Sequence, residues 1–170
     1  MQQQKTKVAA EFFAQGYRVS GTYSIISKAL GDMIYDTTTD FVRLREAYIS
    51  PIMDPARISA YYEEVLFDKS NLDFVLTLDS RDGLRRDQKF GMGRNSVNVF
   101  LIVPFFEIQG ELRIVTSKFE PRLHLSSEAG PFLTLLNVVA RSTFNPDISY
   151  EGGIALISRT KISFFGEKIN

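Results

Sequence analysis

A short glycine-containing pattern occurs twice in this 170-residue chain and constrains its fold more than any other feature. The segments "YRVSGTYSII" (17–26) and "FEIQGELRIV" (106–115) each place one Gly inside an alternating run of bulky and polar residues. A Gly inside a strand marks a bulge, a bend or a close approach of another backbone. Because Gly21 and Gly110 occupy the same place in the two segments, the pattern predicts two strands that bend at equivalent points.

The similarity continues on both sides of the two glycines. Aligned pairs include Val8 with Val97, Phe12 with Leu101, Phe41 with Phe132, Leu66 with Leu156, and Phe74 with Phe164. Alternation of apolar and polar residues is common in β-proteins, so chance alignment is the alternative explanation. Because the blocks keep their order and nearly their spacing, we interpret them as an internal duplication. The first repeat spans 6–78, the second spans 96–167, and 79–95 is a linker or long loop.

Each repeat is predicted to contain about five short strands. Hairpins are expected at Gln15-Gly16 and at Pro104-Phe105, where alternating segments flank turn residues. The turn residues 68–71 and 158–161 each separate two apolar runs and predict a closing hairpin in each repeat.

Two segments leave the secondary structure open. The run "FVRLREAYI" at 41–49 is compatible with a helix or an interrupted strand, and its counterpart "LLNVVA" at 135–140 favours a strand. A short helix is expected either near the N-terminus or in the loop at 54–64. The segment 48–64 contains Ile52, Met53, Tyr61 and Tyr62. These residues form either an exposed patch for a partner or a loop packed on the end of a barrel.

Composition excludes several classes of function. With 44% hydrophobic residues the chain can bury a core, and its 20 basic residues balance 20 acidic ones, so no net field attracts nucleic acid or anionic membranes. The N-terminal "MQQQKTK" lacks an apolar stretch, and no apolar run approaches the ~20 residues that span a bilayer. We therefore expect a cytoplasmic protein without membrane contact. The absence of Cys excludes disulfides, a thiolate nucleophile and Cys-ligated metals.

The central segment "DSRDGLRRDQKFGMGRNS" is the best candidate for a binding site. Its cations could cradle a phosphate or follow a nucleic-acid backbone, and its aromatic residue could stack on a base. The alternative is a solvated linker, since Asp residues cancel part of the charge. The candidate residues for nucleic-acid or anion binding are Arg81, Arg85, Arg86, Lys89, Phe90 and Arg94.

No catalytic or metal-binding pattern is recognisable. His124 is the single histidine and is interpreted as structural or solvated. The carboxylates Glu63, Glu64, Asp68 and Asp73 are spread along strand-like sequence and form no evident acid–base pair. We therefore predict a non-enzymatic protein without cofactor or metal, although a fold can still bring distant side chains together.

The repeated strand motifs resemble those of the Sm-like small barrel. The resemblance rests on the Gly in the bent second strand, on the "L-x-E-A" pattern at Leu44, Glu46 and Ala47, and on "VLFDKSNLDFV" at 65–75. More closely, the chain is similar to uncharacterised bacterial proteins of this pattern. The resemblance implies an all-β fold with minor α content, made of two tandem Sm-like five-stranded small barrels related by pseudo-twofold symmetry. The RNA-reading residues of Sm-like loops are not found here.

Two functions follow as hypotheses. Because small barrels expose strand edges, we expect the repeats to pair through an edge or pack face to face, and the chain to act as a scaffold through a protein partner or self-association. The alternative is binding of RNA, DNA or a nucleotide through the basic central segment.

Overall fold

The computed structural model describes residues 6–25 and 28–169, with the main chain alone at residues 6, 25 and 89–91. The protein is all-β with minor α content, as the sequence predicts. The strands are β1 Thr6–Ala14, β2 Tyr17–Ile25, β3 Phe41–Pro51, β4 Ala60–Asp68, β5 Phe74–Thr77, β6 Asn95–Val103, β7 Phe106–Ile114, β8 Phe132–Ser142, β9 Ser149–Ser158 and β10 Phe164–Glu167. The short helices are α1 Leu30–Tyr35, α2 Ser80–Gly83, α3 Arg86–Gly91 and α4 Pro121–Leu125.

All ten strands belong to one antiparallel sheet with the order β10-β6-β7-β8-β9-β5-β1-β2-β3-β4. In each half of the chain, four strands follow one another as a meander, and the fifth returns to pair with the first. The two halves pair through an edge, because β5 of the first half is hydrogen-bonded to β9 of the second.

This arrangement contradicts the predicted pseudo-twofold symmetry. A twofold axis that pairs β5 with β9 would also pair their counterparts β10 and β4. Those two strands instead lie at opposite ends of the sheet. The halves therefore follow one another head to tail.

Both predicted bends are present. The pairing register of β2 with β3 shifts between Ser20 and Thr22, and that of β7 with β8 shifts between Gln109 and Glu111. Gly21 and Gly110 lie at these shifts, and a Cβ on Gly110 would lie 3.1 Å from the Leu136 carbonyl oxygen. Glycine thus permits the close approach of strands that a β-bulge requires.

The partner strands carry the matching distortion. Glu46 on β3 has a φ of 52° and Asn137 on β8 has a φ of 49°, which is the left-handed region that few side chains adopt. The hairpin between β1 and β2 turns at Gln15 and Gly16, which also have positive φ, as expected for a tight turn that matches strand twist.

The closing hairpins were wrong, because three-residue 3₁₀ turns at 69–71 and 159–161 send the chain across its own half to pair with the first strand. Of the two places considered for a short helix, the loop at 54–64 has none and β4 begins there at Ala60; residues 1–5 lie outside the described residues. The segment 79–95 precedes the main part of β6 and carries the short helices α2 and α3. In contrast, 41–51 is the strand that its counterpart favoured.

Two hydrophobic cores lie on either side of the β5–β9 pair. Alternate side chains of these strands enter different cores: Phe74 and Ala155 belong to one, whereas Val75 and Leu156 belong to the other. Each core contains residues from both halves of the chain. In the first core, the Phe13 ring of the first half stacks on Phe74 with 4.3 Å between centroids, and it makes an edge-to-face contact with Phe106 of the second half at 5.1 Å.

We expect Phe74→Ala to lower the free energy of unfolding by about 3–5 kcal/mol, because Phe74 is fully buried between the halves. Urea unfolding monitored by circular dichroism should show one transition that shifts as a whole. Phe144→Ala is the matched control, since Phe144 is 56% exposed and its truncation should cost less than about 1 kcal/mol. Two separate transitions, with only one of them shifted, would contradict the shared core.

Candidate functional site

The loops at the junction of the two halves surround a cavity of about 350 Å³ that is lined by both polar and apolar residues. The parts of the chain that surround it include helix α3, the C-terminal end of α1, the end of β7 with the following loop, and the 3₁₀ turn at 159–161. We call it the junction cavity. The polar side chains that line it are Tyr35, Arg85, Gln88, Arg113, Thr116, His124, Thr134 and Arg159.

Tyr35 connects the first half to the second at this cavity. Its hydroxyl donates to the main-chain oxygen of Phe132 at 2.9 Å and lies 2.8 Å from the Thr134 hydroxyl oxygen. The Arg85 guanidinium lies over its ring, 4.6 Å from the centroid. Burial raises the pKa of the Tyr35 phenol, although the Thr134 hydrogen bond and the charges of Arg159 and Arg85 act in the opposite direction.

Arg159 is the most constrained cation of the cavity. Its Nε donates to the Gly130 carbonyl oxygen and its Nη2 donates to that of Ala129 at 2.9 Å, which fixes the loop before β8. Its Nη1 is buried and has no hydrogen-bond partner in the described part of the chain. Burial lowers the pKa of this guanidinium.

His124 lies on α4 and presents a second unsatisfied nitrogen. Its ring stacks on Phe119, with 5.9 Å between centroids and 12° between planes. Nε2 is buried without a hydrogen-bond partner among the described residues. Burial, and then the nearby charge of Arg159, lower the pKa of His124. The histidine therefore favours the neutral form when the cavity holds no anion.

The predicted basic residues differ in their surroundings. Arg85 lines the junction cavity and is ion-paired with Asp87. Arg81 is ion-paired with Asp79 at 2.7 Å, and Arg86 and Arg94 are exposed. The side chains of the two other candidates, Lys89 and Phe90, lie outside the described residues.

Sequence reasoning missed the residues that complete the cavity. Arg113, Thr134 and Arg159 come from three separate strands or turns of the second half, and Tyr35 comes from the first half. Nothing in their spacing indicates that they converge. The turn residues 158–161, which include Arg159, predicted only a change of chain direction.

A second exposed feature is the pair of end strands, β4 and β10. On β4, Leu66 is 61% exposed and Tyr61 and Tyr62 are each 50% exposed; on β10, Phe164 is 54% exposed. Of the four residues considered for an exposed patch, Met53 is exposed like Tyr61 and Tyr62, whereas Ile52 is buried within the first core, as the packed alternative expects.

The described part of the chain shows neither a metal-binding cluster nor a membrane-spanning helix. Residues 6–25 and 28–169 contain no group of three or more potential metal-ligating side chains. The helices within these ranges are too short and too polar to cross a lipid bilayer. No family model, curated protein or solved structure matches the chain.

We expect Tyr35→Phe to lower the free energy of unfolding by about 1–2 kcal/mol, because it removes the hydrogen bonds to Phe132 and Thr134. The free energy of unfolding of the same variant should also change less with pH in the alkaline range. With a folded pKa above the ordinary value of 10.0, the phenol of the unfolded chain loses its proton first, so its contribution to stability falls as the pH rises above 10.0.

Urea unfolding of the two proteins between neutral and alkaline pH measures this difference. Tyr62→Phe is the control, since Tyr62 is 50% exposed. If the free energy of unfolding depends on pH equally in Tyr35→Phe and the unmodified protein, a raised pKa at Tyr35 is contradicted.

Proposed function

We propose that this protein is a non-enzymatic scaffold that assembles with copies of itself, head to tail, through its two end strands. We further propose that the chain is a duplicated unit made of two Sm-like small barrels. The support is that both halves share one pairing scheme, in which the fifth strand returns to the first and the second strand bends at a glycine.

The observation that carries the assembly proposal is the difference in burial between equivalent strands. At the β5–β9 pair, Phe74 and Leu156 are 0% and 1% exposed. Their counterparts in the proposed duplication are Phe164 on β10 and Leu66 on β4, which are 54% and 61% exposed. The end strands therefore carry apolar side chains suited to a contact that the chain makes once internally and leaves open at both ends.

The internal pair also supplies a register for the contact between copies. Phe74 lies opposite Ile157, and Val75 lies opposite Leu156. The same register between two copies places Phe164 opposite Phe67 of the second copy, and Phe165 opposite Leu66 of the second copy. Aromatic and aliphatic pairs of this kind stabilise strand pairing by about 0.2–1 kcal/mol each, in addition to the ladder hydrogen bonds.

Charges along this register are compatible with pairing. Just beyond the end of β10, Lys168 falls opposite Glu63 of the second copy. Glu167 falls opposite Glu64 of the second copy, whose charge is offset by Arg43 and Arg45 of its own chain at 3.5 and 3.6 Å. Because the two surfaces in contact are different, each added copy presents a new free edge, and assembly continues until a ring closes or a filament forms.

Charged substitutions at either edge test this proposal. We expect the unmodified protein to sediment as an assembly larger than one chain, and Leu66→Glu and Phe164→Glu each to sediment as folded monomers. A mixture of the two variants should give a dimer with one copy of each, because the first retains an intact β10 and the second an intact β4. Analytical ultracentrifugation measures all three samples.

Phe144→Glu is the matched control, since Phe144 is exposed but lies in the turn between β8 and β9. This variant should assemble like the unmodified protein. A monomeric unmodified protein at all concentrations would overturn the proposal. So would a Phe164→Glu variant that still forms dimers alone, because that result indicates a symmetric contact between β4 strands.

Binding of RNA, DNA or a nucleotide through the central segment has less support in the structure. Arg81 and Arg85 are paired with neighbouring carboxylates, which reduces the positive charge available to a nucleic acid. A filter-binding titration of single-stranded RNA at several salt concentrations would detect such binding as a saturable affinity that falls steeply with salt.

A further inference from the structure

We propose that the junction cavity binds a small phosphate-bearing anion, with Arg159 and His124 as its direct ligands. This inference concerns a different surface from the end strands and does not depend on assembly. The cavity lies inside one chain, between the first half's Tyr35 and the loops of the second half.

The first argument is the hydrogen-bonding capacity left over in the cavity. Buried polar groups are nearly always paired, and an unpaired buried donor costs free energy. Arg159 uses Nε and Nη2 on main-chain carbonyls, while Nη1 is buried and unpaired within the described part of the chain. His124 Nε2 is likewise buried and unpaired among the described residues. Both side chains line the cavity, and binding of an oxyanion there would require them to turn these nitrogens toward it.

The charge of the walls selects an anion over a neutral ligand. Three arginines and one histidine line the cavity, and the lining residues in the described part of the chain include no Asp or Glu. Arg85 and Arg113 are balanced by Asp87 and Glu111, which lie outside the lining. Arg159 instead makes its hydrogen bonds to main-chain carbonyls, so its charge remains for a ligand. Guanidinium groups match the oxygen geometry of phosphate.

The size and the other walls indicate a phosphate attached to a small organic group. A volume of about 350 Å³ is at the lower end of the range for small-molecule sites. Met92, Leu123 and Val115 provide apolar surface near the cations. Tyr35 is held by its own hydrogen bonds, so this wall is preformed.

Isothermal titration calorimetry in a phosphate-free buffer tests the proposal with three probes: inorganic phosphate, adenosine 5′-monophosphate and adenosine. We expect both anions to bind and adenosine not to bind. Tighter binding of the monophosphate than of inorganic phosphate would indicate that the apolar walls contact the organic group. Equal binding of the two anions would indicate recognition of the phosphate alone, and both results support an anion site.

Arg159→Met should weaken binding of phosphate about tenfold or more, because it removes a charged donor from the site. Since Arg159 also holds the loop before β8, a second variant, His124→Phe, keeps an aromatic ring beside Phe119 and removes the ring nitrogens, Nε2 among them. Circular dichroism confirms that each variant is folded. Arg122→Met is the matched control, because Arg122 is exposed on α4 and does not line the cavity.

The proposal is overturned if neither anion produces saturable heat with the unmodified protein. It is also overturned if folded Arg159→Met and His124→Phe bind as the unmodified protein does, or if Arg122→Met weakens binding as strongly as they do.

Discussion

The antiparallel pair of β5 and β9 is the contact on which the rest of the structure depends. The paired segments, "FVLT" of β5 and "IALI" of β9, are mostly apolar, and all eight side chains are buried. Because their side chains alternate between two faces, the pair separates two cores and contributes to each. The same pairing brings Tyr35 of the first half against β8, and it thereby closes the junction cavity. A strand buried on both faces also excludes water from its ladder hydrogen bonds.

Much of the fold could be predicted from the sequence because strand physics is local. Alternation predicted the strands, and Gln15-Gly16 predicted a tight hairpin turn. The glycines at 21 and 110 predicted the bends, because a Cβ at either position would lie unusually close to the neighbouring strand. The closing hairpins were wrong for an equally physical reason. Turn residues at 68–71 specify that the chain changes direction, but the choice of partner strand is made by the burial of distant residues such as Phe13.

The candidate site was far less accessible to prediction. The basic segment stood out because its charges are adjacent in sequence, yet local Asp residues neutralise Arg81 and Arg85. Arg159 carried no local signal. Its importance comes from a long-range environment, in which a guanidinium is buried beside His124 with one nitrogen unpaired. Burial and convergence are properties of the folded chain, and no spacing rule in the sequence encodes them.

The sharing of each core between the halves has a consequence for synthesis of the protein on the ribosome. When residues 6–77 have emerged, Phe13 and Phe74 are still without Phe106 and Tyr150, whose rings complete their aromatic cluster. The nascent first half therefore exposes apolar surface until nearly the whole chain has been translated. Both cores are complete only when β9 has been synthesised, because its residues belong to each of them.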